Sequence, residues 1–234
     1  MKISFKNLEQ DLLALANADK AKILSGFFKT GKGQYGAGDI FLGVMVPQIR
    51  TVSKKYTELN FNDLQKLLNS KKHEIRLCAL FVLVKKYQIA DDREKKNIAD
   101  FYLKNAENIN NWDLVDLTAP KILGEYLIGK PHKILYDLAA SQNLWERRIA
   151  MLSTFTFIKN KDFVDALRLA KKLLDDKHDL MHKAVGWMLR EIGKRDKNIL
   201  VEFLNLYYKK MPRTMLRYAI EKFDAVERNK YLKK

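Results

Sequence analysis

Apolar residues recur every three or four positions along almost the whole chain, and only four prolines and ten glycines interrupt its 234 residues. That period belongs to the α-helix, and an all-β chain of this length needs far denser turn residues. The pattern predicts helices over 8–28, 46–55, 61–69, 73–87 and 92–105. They continue over 112–126, 131–140, 145–158, 163–174, 178–194, 199–209 and 211–223. Polar joints such as Asn69-Ser70-Lys71-Lys72, Ser141-Gln142-Asn143 and Asp175-Asp176-Lys177 separate them, rich in the Asn, Asp and Ser that cap helix starts.

The helices also resemble one another. Ala79, Ala119, Ala150, Ala184 and Ala219 each sit in a short apolar context after a polar turn. Their spacing averages about 35 residues, the period of a helix-pair repeat. A small side chain at a recurring place lets neighbouring helices approach closely. The fold expected is all-α, an α-solenoid of about six HEAT-like helix pairs with a concave basic cleft, formed by residues 1–234 as a single domain.

Lys and Arg outnumber Asp and Glu by 44 to 28, a formal charge of +16 with a pI near 9.7. At 47% apolar and 31% charged residues this is a globular composition rather than a disordered one. The cations run along the whole chain, so the fold itself has to gather them into a face for nucleic acid, an anionic membrane surface or an acidic partner. Cys78 is the single cysteine, which excludes an internal disulfide and a thiolate metal cluster. Its apolar neighbours place it in a core. The segment Met1–Lys6 lacks the apolar stretch of a signal peptide, and no run reaches membrane-spanning length. An intracellular soluble protein is expected.

Against this basic background Asn110-Asn111-Trp112-Asp113-Leu114-Val115-Asp116 stands out. Trp112 and Asp116 are four apart and share a helix face. Asp113 lies about 60° off that face and suits a capping or structural role. A carboxylate in a polyanion-binding protein weakens binding, unless a positive charge has to be stabilised beside it. On another helix Trp187 is flanked by Lys183 one turn before and Arg190 one turn after, an aromatic among cations suited to sugar and phosphate. Arg213, Arg217 and Lys222 add a basic row near the C-terminus. Trp145 beside Arg147 and Arg148 suits a core position.

Two literal motifs fail on context. Gly31-Lys32-Gly33-Gln34-Tyr35-Gly36 matches G-x-G-x-x-G, but a helix rather than a strand precedes it, so a mobile loop with Lys29 and Lys32 open to phosphates is expected. His178 and His182 have zincin spacing without the glutamate base or a third ligand, and suit helix-start polar residues, as does His73-Glu74. No metal or other cofactor is expected.

The segments 111–116, 144–150 and 183–191, with Phe41–Arg50 and its Gly43-to-Pro47 helix start, resemble in order the AlkD-type DNA alkylation repair glycosylases, built of HEAT-like repeats. The resemblance implies hydrolysis of the N-glycosidic bond of cationic N3- and N7-alkylpurines in double-stranded DNA, without a base-binding pocket, in base excision repair. It implies lesion-facing roles for Trp112, Trp187 and Asp116, and phosphate binding by Arg148 with Arg190 as a second candidate. Lys183, Pro47 and Arg213 join them as DNA-binding residues, in a protein expected to be monomeric and cytoplasmic, nucleoid-associated when on DNA. The family's N-terminal aromatic falls on Phe27, Phe28 or Tyr35. A non-catalytic module for nucleic-acid structures and a protein-interaction scaffold are the alternative readings of the same basic solenoid.

Overall fold

A computed structural model describes residues 3–233; Met1, Lys2 and Lys234 lie outside the described residues. Among those described, fourteen α-helices and no strand are present, with one isolated parallel bridge between Ile40 and Lys72. No helix among the described residues is long and apolar enough to cross a membrane. The chain expected as one domain groups into two compact units, residues 1–118 and 119–234.

The first unit holds α1 (Phe5–Leu13), α2 (Ala18–Phe27), α3 (Val46–Ser53), α4 (Phe61–Leu68), α5 (His73–Ile89), α6 (Asp92–Lys104) and α7 (Trp112–Asp116). Its core is α5, against which α1, α3, α4, α6 and α7 pack. Thirteen of its 17 residues are buried, so it is enclosed all round rather than amphipathic. Cys78 lies inside it, fully buried, and burial pushes its thiol well above the usual range.

The second unit begins with a π-helical turn, Pro120–Gly124. It continues with α8 (Lys133–Ala139), α9 (Leu144–Lys159), α10 (Val164–Lys172), α11 (Asp179–Gly193), α12 (Lys197–Tyr207), α13 (Arg213–Ala219) and α14 (Ala225–Leu232). Here α9 packs against α8, α10, α11 and the π turn, and α11 takes α12 and α13. Thr156 Oγ1 of α9 donates to the Pro120 carbonyl at 2.7 Å, which ties the π turn to the core helix. The five recurring alanines are all at most 1% exposed, as close helix approach requires. Side-chain caps come from Ser4, Asn17, Asn60, Asp91, Asn111, Asn143, Asp196 and Asp224. Trp145 is a core residue at 8% exposed.

Three boundaries differ from the sequence expectation. Helix 8–28 is broken after Leu13, because Asn17 leaves helical geometry to give its N–H to the Leu42 carbonyl at 2.8 Å and to cap Lys20. Gly43 seals that contact: its φ is +80° and a Cβ there would lie 2.1 Å from the Asn17 carbonyl oxygen. Helix 112–126 ends at Asp116, since Pro120 has no N–H to return to the carbonyl four residues earlier. Beyond Ala219, Asp224 caps a further helix, α14, that the apolar period had not marked.

Gly186 is where α13 comes nearest α11: a Cβ would stand 2.5 Å from both the Met215 carbonyl oxygen and Tyr218 Cβ. Gly186→Ala is therefore expected to destabilise the protein by about 1–3 kcal/mol. Gly26, in α2 with nothing within 4 Å of its notional Cβ, is the control. Gly26→Ala should stabilise by roughly 0.5–1 kcal/mol through helix propensity. Urea unfolding of both variants checks the opposite signs.

Candidate active site

A five-residue helix is too short to stand by itself, so the placement of Trp112 and Asp116 on α7 rests on what surrounds it. Leu114 and Val115 are fully buried and supply its apolar anchor. Trp112 and Asp116, four residues apart, are both half-buried.

The start of α7 is held by ions. Asp113, 6% exposed, accepts its neighbour Leu114 N–H at 2.9 Å through Oδ1, and its Oδ2 faces His73 Nε2 at 2.8 Å. The other ring nitrogen of His73, Nδ1, faces Asp39 Oδ2 at 3.2 Å. A neutral imidazole has one N–H, so with a carboxylate at each nitrogen the ring is an imidazolium donating twice. Arg76 Nη2 donates to Asp39 Oδ1 at 2.7 Å and to Asn110 Oδ1 at 2.9 Å, and its Nη1 to the Ser70 carbonyl at 2.8 Å. Asn111 Oδ1 caps α7 by accepting Trp112 N–H at 2.8 Å, while its Nδ2 donates to Asp39 at 3.4 Å. Two buried cations and two buried carboxylates thus balance.

The far end of α7 is tied differently. Thr118 Oγ1 donates to the Leu114 carbonyl at 2.5 Å, which leaves its lone pairs to accept the Tyr102 hydroxyl at 2.9 Å. Tyr102 is fully enclosed, and burial raises its hydroxyl far above the usual range, with the negative charge of Asp116 adding to it.

Aromatic rings continue the clasp outward. His73 stacks on Phe41 with centroids 4.5 Å apart, Phe41 on Phe28 at 5.0 Å, and Phe28 on Trp112 at 5.0 Å. Phe27 meets Trp112 edge-on at 5.8 Å and is 62% exposed, whereas Phe28 is 7% exposed. Phe41 is itself placed by Glu74, whose buried carboxylate accepts the N–H groups of Leu42, Gly43 and Val44 at 2.8–3.3 Å.

In the second unit, Lys183, Trp187 and Arg190 follow one another along α11 at helical spacing. Trp187 is half-buried, lies 6.0 Å from the Phe155 ring, and donates Nε1–H to Glu191 Oε1 at 3.3 Å. Burial acts to raise the Glu191 carboxyl, but hydrogen bonds from Lys194 and Arg195 outweigh it and hold the group below its ordinary value. Lys183 pairs with Asp179 at 2.7 Å, and Arg190 with Glu221. Arg213, exposed at the start of α13, donates to the Leu232 carbonyl at 2.8 Å. Arg148 is only 4% exposed and donates from Nη1 to the Leu180 carbonyl, so a phosphate in solvent does not meet it as placed. Pro47 is exposed in the first turn of α3, in the first unit.

The remaining polar motifs have structural partners. His178 Nδ1 accepts Leu180 N–H at the start of α11, and His182 Nε2 donates to the Asp176 carbonyl at 2.6 Å. The 31–36 loop is a series of turns in which Gln34 Oε1 accepts Gly31 N–H and Lys29 accepts Gly36 N–H; Lys29 and Lys32 are exposed on it. His73 and Glu74 open α5 as expected, yet each is 1% exposed. The sequence does carry a signal for them: three ionisable residues, His73, Glu74 and Arg76, enter a run of apolar residues with no polar face, where unpaired charge is costly. Asp39, the partner of His73 and Arg76 and 34 residues before His73, has no such signal.

A family model described as DNA alkylation repair enzyme matches residues 8–223. The chain belongs to that family. A predicted DNA alkylation repair enzyme from Enterococcus faecalis has a similar solved structure, with TM-score 0.68 at 16% identity over 90% of this chain and 97% of that one. AlkD2 from Streptococcus mutans is similar with TM-score 0.56 at 18% identity, over 94% of this chain and 98% of that one. At such identities these likenesses bear on the fold. No curated protein sequence matches the chain.

His73 is pushed up to about 9: burial lowers it, but the charge and hydrogen bond of Asp113 and the hydrogen bond of Asp39 more than compensate. Asp39 is lowered: burial raises it, and the His73 hydrogen bond and the Arg76 charge prevail. For His73, folded above unfolded, the stabilisation is complete below about pH 6.5 and lost as pH rises through 9. Asp39 contributes above its ordinary value near 3.8 and loses that contribution as acid protonates it. Unfolding free energy should fall by on the order of 3 kcal/mol between pH 6.5 and 9.5. A flat denaturation profile across that window would mean a neutral His73.

Proposed function

We propose that this DNA alkylation repair enzyme is a glycosylase that hydrolyses the N-glycosidic bond of cationic N3- and N7-alkylpurines in duplex DNA. The observation that carries this reading is the face of α7, where a half-buried carboxylate, Asp116, accompanies a half-buried indole, Trp112, in a protein of formal charge +16. Such a group opposes binding of a polyanion in the ground state. It is useful where positive charge grows during the reaction.

An alkylated purine already carries positive charge, so its departure needs no general acid. The C1′–N bond breaks, its electron pair neutralises the base, and an oxocarbenium-like sugar remains. Asp116 stabilises that cation electrostatically and orients the water whose oxygen bonds to C1′. One water proton goes to solvent, and an abasic sugar and free neutral base result. Trp112 holds the lesion-bearing deoxyribose, with cation–π attraction worth ~0.5–2 kcal/mol. Phe27, at the exposed edge of Trp112, is the N-terminal aromatic best placed to join it.

Trp187 is assigned the same duty from α11, its indole edge fixed by Glu191. Phosphate contact falls to Lys183, Arg190 and Arg213 of the second unit, with Pro47 beside the backbone in the first. Arg148 belongs to this set through the family resemblance, and its burial makes it the member least favoured. Paired cations at half-exposed positions exchange a carboxylate for a phosphate at small cost, because such surface pairs are worth little.

Incubation with N7-methylguanine or N3-methyladenine duplex DNA should release free base and leave abasic sites. Asp116→Asn is expected to slow release by about 10²–10³-fold, the usual loss when a preorganised transition-state group is removed. Its DNA affinity should be kept or slightly raised. Equal loss of both, in a folded variant, would remove Asp116 from this role. Salt-dependent DNA binding without base release would instead favour a non-catalytic nucleic-acid module.

A further inference from the structure

α7 owes its orientation to a residue that does not belong to it. We infer that His73 is the positioning residue of the α7 face, clasping Asp113 at the start of α7 and Asp39 of the segment between α2 and α3 onto α5. The inference rests on the reading of Trp112 and Asp116 as site residues.

The clasp has three geometric supports. Both ring nitrogens are engaged by carboxylates, at 2.8 Å and 3.2 Å, and the ring is 1% exposed. The same ring begins the stack that runs through Phe41 and Phe28 to Trp112, so its tilt is passed to the indole by ring contact. The helix being held has five residues, too few to fix its own axis. The groups facing His73 are Asp113 from α7, Asp39 and the rings of Phe28 and Phe41 from the segment between α2 and α3, and Arg76 from α5. Glu74, next in sequence, directs its carboxylate into the 42–44 loop instead.

Loss of the second proton leaves a single N–H for two carboxylates. One tether opens at the start of α7, the helix tilts about its buried anchor of Leu114 and Val115, and Asp116 moves off the position it holds for the sugar cation. The burial-opposed shift of His73 to about 9 places this release above neutral pH. The first unit therefore contains a built-in alkaline limit on the site that leaves the chemical groups themselves unchanged.

The test reads Trp112 directly and then the reaction. The indole ¹⁵N–¹H resonance of Trp112, assigned through Trp112→Phe, is followed from pH 6 to 10 in the whole protein. It should titrate with a midpoint near 9, and in Asp113→Asn, which keeps the shape but loses the charge, the midpoint should move down by a unit or more. On N7-methylguanine duplex DNA, Asp113→Asn should lower the single-turnover rate at pH 7.5 by about 10- to 100-fold while DNA affinity stays nearly constant. Because His73→Asn leaves two buried carboxylates against one cation and is expected to unfold, the isosteric Asp113→Asn carries the test.

A Trp112 resonance that does not titrate in the folded protein would overturn the inference, as would an Asp113→Asn midpoint equal to that of the wild type. Loss of DNA affinity in parallel with rate would reduce Asp113 to a purely structural group. A titrating Trp112 with the expected Asp113→Asn shift, but no base release from wild-type protein, would uphold the clasp and dismiss the glycosylase reading.

Discussion

An imidazolium between two buried carboxylates is the interaction on which the first unit turns. Neither Asp39 nor Asp113 tolerates burial alone, since an unpaired ion in the interior costs several kcal/mol. His73 and Arg76 on one helix bring their charge to zero, and the carboxylates come from two other segments. Such a network is demanding in geometry: an apolar cluster tolerates slippage, whereas donors and acceptors at 2.7–3.2 Å do not. That demand is what lets a helix of one and a half turns hold a defined direction.

The surrounding loop is shaped by the same logic. Glu74 gathers three successive N–H groups of the 42–44 segment, and Gly43 lets that segment press against Asn17 where any side chain would collide. The loop then delivers Phe41 into the stack between His73 and Phe28. The indole of Trp187 in the second unit is held differently. Trp187 is set by the long helix that carries it, by close contact of α11 with α13 at Gly186, and by an edge hydrogen bond to Glu191. Two tryptophans given one role in the proposed chemistry are thus supported in physically different ways, one by a network and one by helix packing.

On the glycosylase reading proposed above, a carboxylate among so many cations suits a leaving group that is already charged. In the proposed glycosylase reaction the base needs little protonation, so the contribution asked of the enzyme reduces to placing negative charge near a sugar carbon and keeping the sugar there. This makes orientation the sensitive quantity, because an electrostatic gain falls with distance while the cost of keeping Asp116 from water does not.

The helical period, the scarcity of glycine and proline, the capping residues and the recurring alanines were all local facts, and local physics decides them. They determined an all-helical fold, most helix positions, the burial of Cys78 and Trp145, and the shared face of Trp112 and Asp116. The same segments carried the family resemblance. What the chain order hid was set by contacts between distant residues. The break at Asn17 depends on Leu42 and Gly43; the ionisation of His73 depends on Asp39 and Asp113, 34 and 40 residues away. The burial of Arg148 depends on Leu180. Periodicity reports which way a side chain points on its own helix, and charge reports what it needs. Only tertiary structure decides which distant group meets that need, because pairing energy depends on distances that the spacing of residues along a chain does not fix.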